Sequence, residues 1–197
     1  MFRFCAIDFE TTGSVPGFPN EPWQLGLVAA DGRGSVAGGE RMESLLRVSS
    51  DRPFNKWAPG RHAALRSEIS RAPLLSDLMP GLARFLALPV VAHNAGTERA
   101  MIAAALPLHV PALWIDTLAL SRRAWPSAPS HALEDLVPAL GLLPEVRQLC
   151  PGRTFHDALF DAFACALLLE RMLSAPGWAS MQPQDLARIS GVSGIRP

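Results

Sequence analysis

The stretch Ala6-Ile7-Asp8-Phe9-Glu10-Thr11-Thr12-Gly13 decides how the rest of the chain is read. Phe2 to Ile7 is a short apolar and aromatic run, which favours a buried strand, and Asp8 stands where that run ends. Extended geometry continued through Glu10 points both carboxylates to one side and Phe9 to the other. Two close carboxylates repel and stay ionised together only with a cation between them, so a strand end reading Asp-Phe-Glu suggests a divalent metal site. Taken alone, the pair also reads as a turn cap at Asp8 beside a solvated Glu10. Thr11-Thr12-Gly13 shifts the balance to the metal, because small residues with free backbone N–H groups let a phosphate or sugar come close.

Around this stretch, 197 residues suffice for one well-packed domain and are short for two. Equal numbers of acidic and basic residues leave no net charge. That balance argues against wrapping a long duplex and limits a nucleic-acid partner to contact over a few nucleotides. Cys5, Cys150 and Cys165 are odd in number and form no CxxC pair, which points to reduced thiols in a cytosolic protein and to no structural zinc. The chain enters a strand without the basic segment and apolar run of a signal peptide, and no stretch is long enough to span a bilayer. A cytoplasmic location with no membrane partner is the expectation.

The Pro- and Gly-rich segment after Gly13 reads as a loop, Trp23 to Ala30 as a second strand, and Asp31-Gly32 as a turn into a third strand at about Val36 to Val48. Ser49 to Ala72 reads as loop with at most short helical turns. Leucine spacing predicts a helix over Leu74 to Leu88. Val90 to Ala92 is a short strand feeding His93-Asn94, and Thr97 is placed to cap a helix to about Leu106. Leu113 to Asp116 is another strand, followed by helices at Thr117 to Ala124 and His131 to Leu140. Thr154 with Asp157 resembles a capping box opening a long helix to Leu173. Strands first and then alternating helices and strands predict an α/β domain with a mixed central sheet over residues 1–173. Residues 174–197 read as a C-terminal tail, a short helix or irregular.

Three motifs follow one another along the chain, and the second and third are ambiguous alone. His93-Asn94 can simply end a strand, Glu98 can serve a helix dipole, and His156 to Asp161 can decorate a helix start. Their order, however, resembles the DEDDh family of 3′ to 5′ exonucleases, which includes the proofreading epsilon subunit of DNA polymerase III, ribonuclease T and oligoribonuclease. The family pattern hhDhETTG is matched by Ala6 to Gly13, HNAxxD is approached by Ala92 to Ile102, and HxAxxD is matched by His156, Ala158 and Asp161. Gln24-Leu25-Gly26, Ile115-Asp116-Thr117 and Leu133 to Leu142 fit lesser family features. The resemblance spans roughly residues 2 to 173.

It implies a ribonuclease H-like exonuclease fold, with a mixed central sheet flanked by helices. Asp8, Glu10 and Asp161 would hold one magnesium or manganese ion, with Asp8 bridging to a second that position 98 supports. Such a pair, about 4 Å apart, suits phosphodiester hydrolysis. By the same resemblance His156 is the general base, and Phe9, Thr11, Thr12 and Gly13 contact the terminal nucleotide of a single-stranded 3′ end, releasing nucleoside 5′-monophosphates. The second motif departs from the pattern: Glu98 stands where the family has aspartate, one methylene longer. The resemblance also admits a homodimer, a polymerase or other replication partner and, as the competing reading, a catalytically weak or silent module of the same fold.

Overall fold

The structure, a computed structural model, describes residues 2–31 and 36–192. The second half of the turn expected at Asp31-Gly32 and the end of the tail therefore lie outside the described residues.

Strand β1 (Arg3–Thr11) carries the deciding stretch through both carboxylates without a break. Strand β2 (Pro22–Asp31) pairs antiparallel with it and β3 (Glu40–Leu45) continues the meander. A short helix α1 (Arg66–Ile69) and α2 (Met79–Leu86) then lead to β4 (Val90–Ala92), which runs parallel to β1. Helix α3 (Gly96–Ala105), strand β5 (Trp114–Asp116), α4 (Thr117–Ala124), α5 (Leu133–Ala139), α6 (Leu143–Leu149), α7 (Ala158–Leu173) and α8 (Pro183–Ser190) complete the order. Among the described residues the sheet is five-stranded and mixed, in the order β3-β2-β1-β4-β5.

The period-two alternation of β1 divides the core. Phe4 and Ala6 join the cluster built on α7, while Cys5, Ile7 and Phe9 face α2 and α3 through Leu82, Phe85 and Ile102. Asp8 and Glu10 continue the α7-facing series. Helix α7 is buried at every position except Arg171, as befits a helix held between the sheet and other helices. Its approach depends on one glycine. Gly26 lies opposite Asp8 in the β1–β2 ladder, and a Cβ there would stand 2.2 Å from the carbonyl of Ala158. The missing side chain lets the first turn of α7 rest on the sheet beside Asp8, and that turn carries Asp161.

Several boundaries differ from those expected. The third strand is shorter than Val36 to Val48, because Val36–Gly38 forms a 3₁₀ turn and Gly39 packs against the carbonyl of Ala29. The helix over Leu74 to Leu88 is divided into a 3₁₀ turn at Leu75–Leu78 and α2. Thr97 does not cap α3; Ala95 occupies that place, and the N–H groups of Asn94 and Ala95 donate instead to the carboxylate of Asp116. Thr154 forms no capping box, for Asp157 itself is the cap of α7 and accepts from the Phe160 N–H. Helix α6 was not anticipated. Within the segment read as a tail, α8 packs on β5 and α4, with Leu186 and Ala187 in the main core. No helix of the described residues is long and apolar enough to cross a membrane.

Candidate active site

The motifs converge on a pocket of about 410 Å³ at the ends of β1 and β4. Its floor holds Asp8 and Glu10 from β1, Glu98 from the first turn of α3, and Asp161 from the first turn of α7. His156 closes one side. A slightly larger apolar hollow of about 470 Å³ between α2 and the segment before β5 has no acidic residue in its lining.

Glu98, Glu10 and Asp161 are only 4%, 6% and 7% exposed, so the carboxylates are largely withdrawn from water. Burial is the main force raising their proton affinity: Glu10 is pushed up to about 8, Glu98 and Asp161 to about 7. Asp8 rises well above the usual carboxylate range, first by burial and then by the field of Asp161, Glu98 and Glu10. Partial relief comes from backbone amides. The N–H of His156 donates to Asp161 Oδ2 at 2.9 Å, and the amides of Glu98 and Phe9 favour the ionised form of Glu98.

Relief is incomplete. Glu98 Oε2 and Asp161 Oδ1 are buried without a hydrogen-bond partner among the described residues, and no lysine or arginine is among the residues lining the pocket. Glu10, His156 and Asp161 each bring one ligand atom within 4.8 Å of the others. Oxygen-rich, anionic and short of donors, this donor set fits a hard divalent cation.

Two residues at the mouth adopt left-handed backbone, His156 at φ 66° and Asn94 at φ 68°. This conformation costs about 1–2 kcal/mol for most residues and persists where the surroundings demand it. At His156 the demand is visible, because its N–H serves Asp161 while its carbonyl faces Gly60, where a Cβ would come within 2.9 Å. The imidazole is half-exposed, with Nε2 3.3 Å from Glu134 Oε2. At Asn94 the N–H meets Asp116, whose carboxylate also caps α4 and so ties the turn after β4 to the end of β5.

The structure brings Asp8, Phe9, Glu10, Thr11, Gly13, Glu98, His156 and Asp161 to the pocket. Phe9 contributes to the wall while its ring is buried in the core. Thr12 is the exception among the residues expected there. It is fully buried, and its hydroxyl donates to Asn20 Oδ1 and accepts from the Glu21 N–H and the Arg52 guanidinium. Sequence reading passed over Asn55, Trp57 and Glu134, which reach the site from a loop and from α5. A tryptophan in a polar, Pro- and Gly-broken loop was the one available signal.

The RNase_T exonuclease family model matches residues 5–169. The chain belongs to this exonuclease family. Exodeoxyribonuclease 10 of Escherichia coli K12 is 30% identical over 140 residues, covering 71% of this chain and 58% of the relative, so the match spans little more than half the relative's length. A solved structure of exonuclease X in complex with 5′ overhanging duplex DNA superposes with a TM-score of 0.69 at 27% identity, over 95% of this chain and 99% of that one. E. coli exonuclease I in complex with a dT13 oligonucleotide shares the fold, with a TM-score of 0.60 at 17% identity over 88% of this chain and 41% of that one. The architecture is thus the ribonuclease H-like fold of the DEDDh exonucleases.

Proposed function

We propose that this chain is a divalent-metal-dependent 3′ to 5′ exonuclease that removes nucleoside 5′-monophosphates from single-stranded nucleic-acid ends. The observation that carries the reading is the set of four carboxylates, Asp8, Glu10, Glu98 and Asp161, gathered in one pocket with no lysine or arginine in its lining. A fold has no reason to bury mutually repelling acids unless a cation completes them. Asp8, Glu10 and Asp161 would hold one magnesium or manganese ion and share Asp8 with a second that Glu98 supports; when bound, such ions acidify the attacking water and offset charge on the leaving oxygen.

The chain's own residues supply the rest. His156 takes the proton of the attacking water on its half-exposed imidazole. Glu134 Oε2, 3.3 Å from Nε2, holds the ring at the mouth of the pocket. Thr11 and Gly13 line the pocket where a terminal sugar would enter, and the left-handed Gly13 lets Asn55 pack against it, since a Cβ there would stand 2.8 Å from the Asn55 Cβ. Thr12 acts behind them, locking the loop through Arg52. The names of the relatives favour DNA as the nucleic acid.

Matched DNA and RNA oligonucleotides, labelled at either end and incubated with magnesium, manganese or chelator, test the proposal. The expected result is a metal-dependent ladder shortening from the 3′ end and faster on DNA. Cleavage that survives chelation, or a ladder from the 5′ end, would overturn it.

A further inference from the structure

The 52–60 loop presents a tryptophan that the fold does not need. Trp57 is 80% exposed and lines the same pocket as the four carboxylates. An indole left in water contributes little to stability, since aromatic side chains stabilise by the large area they bury. Yet the loop beneath it is strongly braced. Arg52, only 5% exposed, donates to Glu21 Oε1, to Thr12 Oγ1 and to the carbonyls of Pro19 and Pro53, with its guanidinium over the Phe18 ring.

Asn55 adds three further ties. Its N–H donates to the Thr12 carbonyl at 2.8 Å, its Nδ2 to the Ser14 carbonyl at 2.8 Å, and its Oδ1 accepts from the Trp57 N–H at 2.9 Å. Behind the loop His62 stacks on Phe54 at 4.8 Å and contacts the Ala58 carbonyl at 3.1 Å. The exposed ring thus stands on a preorganised base fastened to the end of β1, beside the residues that would hold the scissile phosphate. Lys56 places its ammonium over one face of the indole, 4.9 Å from the centroid, so a base would stack on the other face, and the charge stands at the edge of an otherwise acidic pocket.

We propose that Trp57 is a stacking platform for a base flanking the scissile phosphate, and that Lys56 beside it meets the neighbouring backbone phosphate. The inference rests on the exonuclease reading and adds to it a residue that determines grip on the strand. Stacking suits a chain without net charge, because a π-face holds any base without a basic groove. Preorganisation matters here: a loop backbone already fastened in place loses little freedom when the base arrives.

Binding of short single-stranded DNA is measured by fluorescence anisotropy in calcium, for the wild type, Trp57→Ala and Trp57→Phe, using strands that are intact or abasic at each of the last two positions. Trp57→Ala should weaken binding of the intact strand by about five- to a hundredfold, the range of one base–aromatic stack. Trp57→Phe should recover most of this. The difference between wild type and Trp57→Ala should vanish on the strand lacking the base that stacks. Equal affinity of wild type and Trp57→Ala for intact strands overturns the inference, as does an effect of equal size on every abasic strand. Hydrolysis of a simple nucleotide diester by the wild type is run alongside. Turnover there with no Trp57 effect on strands refutes the platform alone, whereas no metal-dependent turnover on any substrate refutes the exonuclease reading and the platform with it.

Discussion

Replacing Gly26 by alanine tests whether the spacing between β2 and α7 sets the proposed metal site. The added Cβ would stand 2.2 Å from the carbonyl carbon and oxygen of Ala158 and 2.4 Å from the Leu159 nitrogen, backbone atoms that no rotamer change can clear. To restore van der Waals contact the first turn of α7 must retreat from the sheet by more than about 1 Å. Gly26 lies opposite Asp8 and that turn carries Asp161, so the displacement falls directly on the pair that would share an ion. The bonds from Gln24 to Asp157 and to the Ala158 N–H, at 3.1 and 3.4 Å, would stretch with it.

Overpacking of this kind destabilises by about 1–3 kcal/mol. A shift of about 1 Å among catalytic groups lowers turnover by about a hundredfold. Urea denaturation gives the first quantity. Manganese affinity by calorimetry and mononucleotide release from a 3′-labelled strand give the second, at a temperature where circular dichroism shows both proteins folded. A folded Gly26→Ala protein with wild-type manganese affinity and turnover would refute the claim that the absent side chain holds Asp161 against β1.

Glu98→Gln keeps the shape and removes the charge, and should lower manganese affinity and hydrolysis by about 10- to 100-fold. Glu98→Asp should fall between that variant and the wild type, since Glu98 lines the pocket with a buried, unpartnered oxygen and the shorter arm no longer reaches as far; activity above wild type would contradict this. The raised carboxylates also set a pH dependence. Glu98, Asp161 and Glu10 titrate at about 7, 7 and 8 in the folded protein, against ordinary values of 4.5, 3.8 and 4.5, so between these limits the folded state holds protons that the unfolded state has released. Their contribution to stability is therefore complete below the ordinary values and is lost as pH rises through about 7 to 8. Thermal melts in chelator should show Tm falling across that window, and manganese should reverse the fall. At pH 7 manganese binding should release protons, seen as a calorimetric enthalpy that varies with the ionisation enthalpy of the buffer.

Much of the site was legible in the sequence because its chemistry sits in short motifs whose local geometry is nearly forced. A strand alternates its side chains, so Asp8 and Glu10 share a face wherever the strand goes. Likewise a carboxylate in the first turn of a helix is held at its start, as Glu98 and Asp161 are. Boundaries were less legible where partners distant in sequence compete for the same backbone groups. Thr97 does not cap α3, because the chain before the helix is held by a carboxylate on β5 and the helix starts after Ala95, and Val36–Gly38 left the third strand for a 3₁₀ turn.

By itself, the sequence determined the mixed α/β architecture, the order of the three motifs, and which acids and which imidazole belong together. Only the tertiary structure decided that Thr12 is an internal strut, that Gly26 sets how near α7 comes to β1, and that Trp57, Asn55 and Glu134 belong to the site. The physical reason is range. Alternation and helix starts follow from covalent geometry over a few residues, whereas a buried guanidinium joining two loops, or a backbone passing within contact of a missing side chain, depends on segments brought together from 31 to 133 positions away.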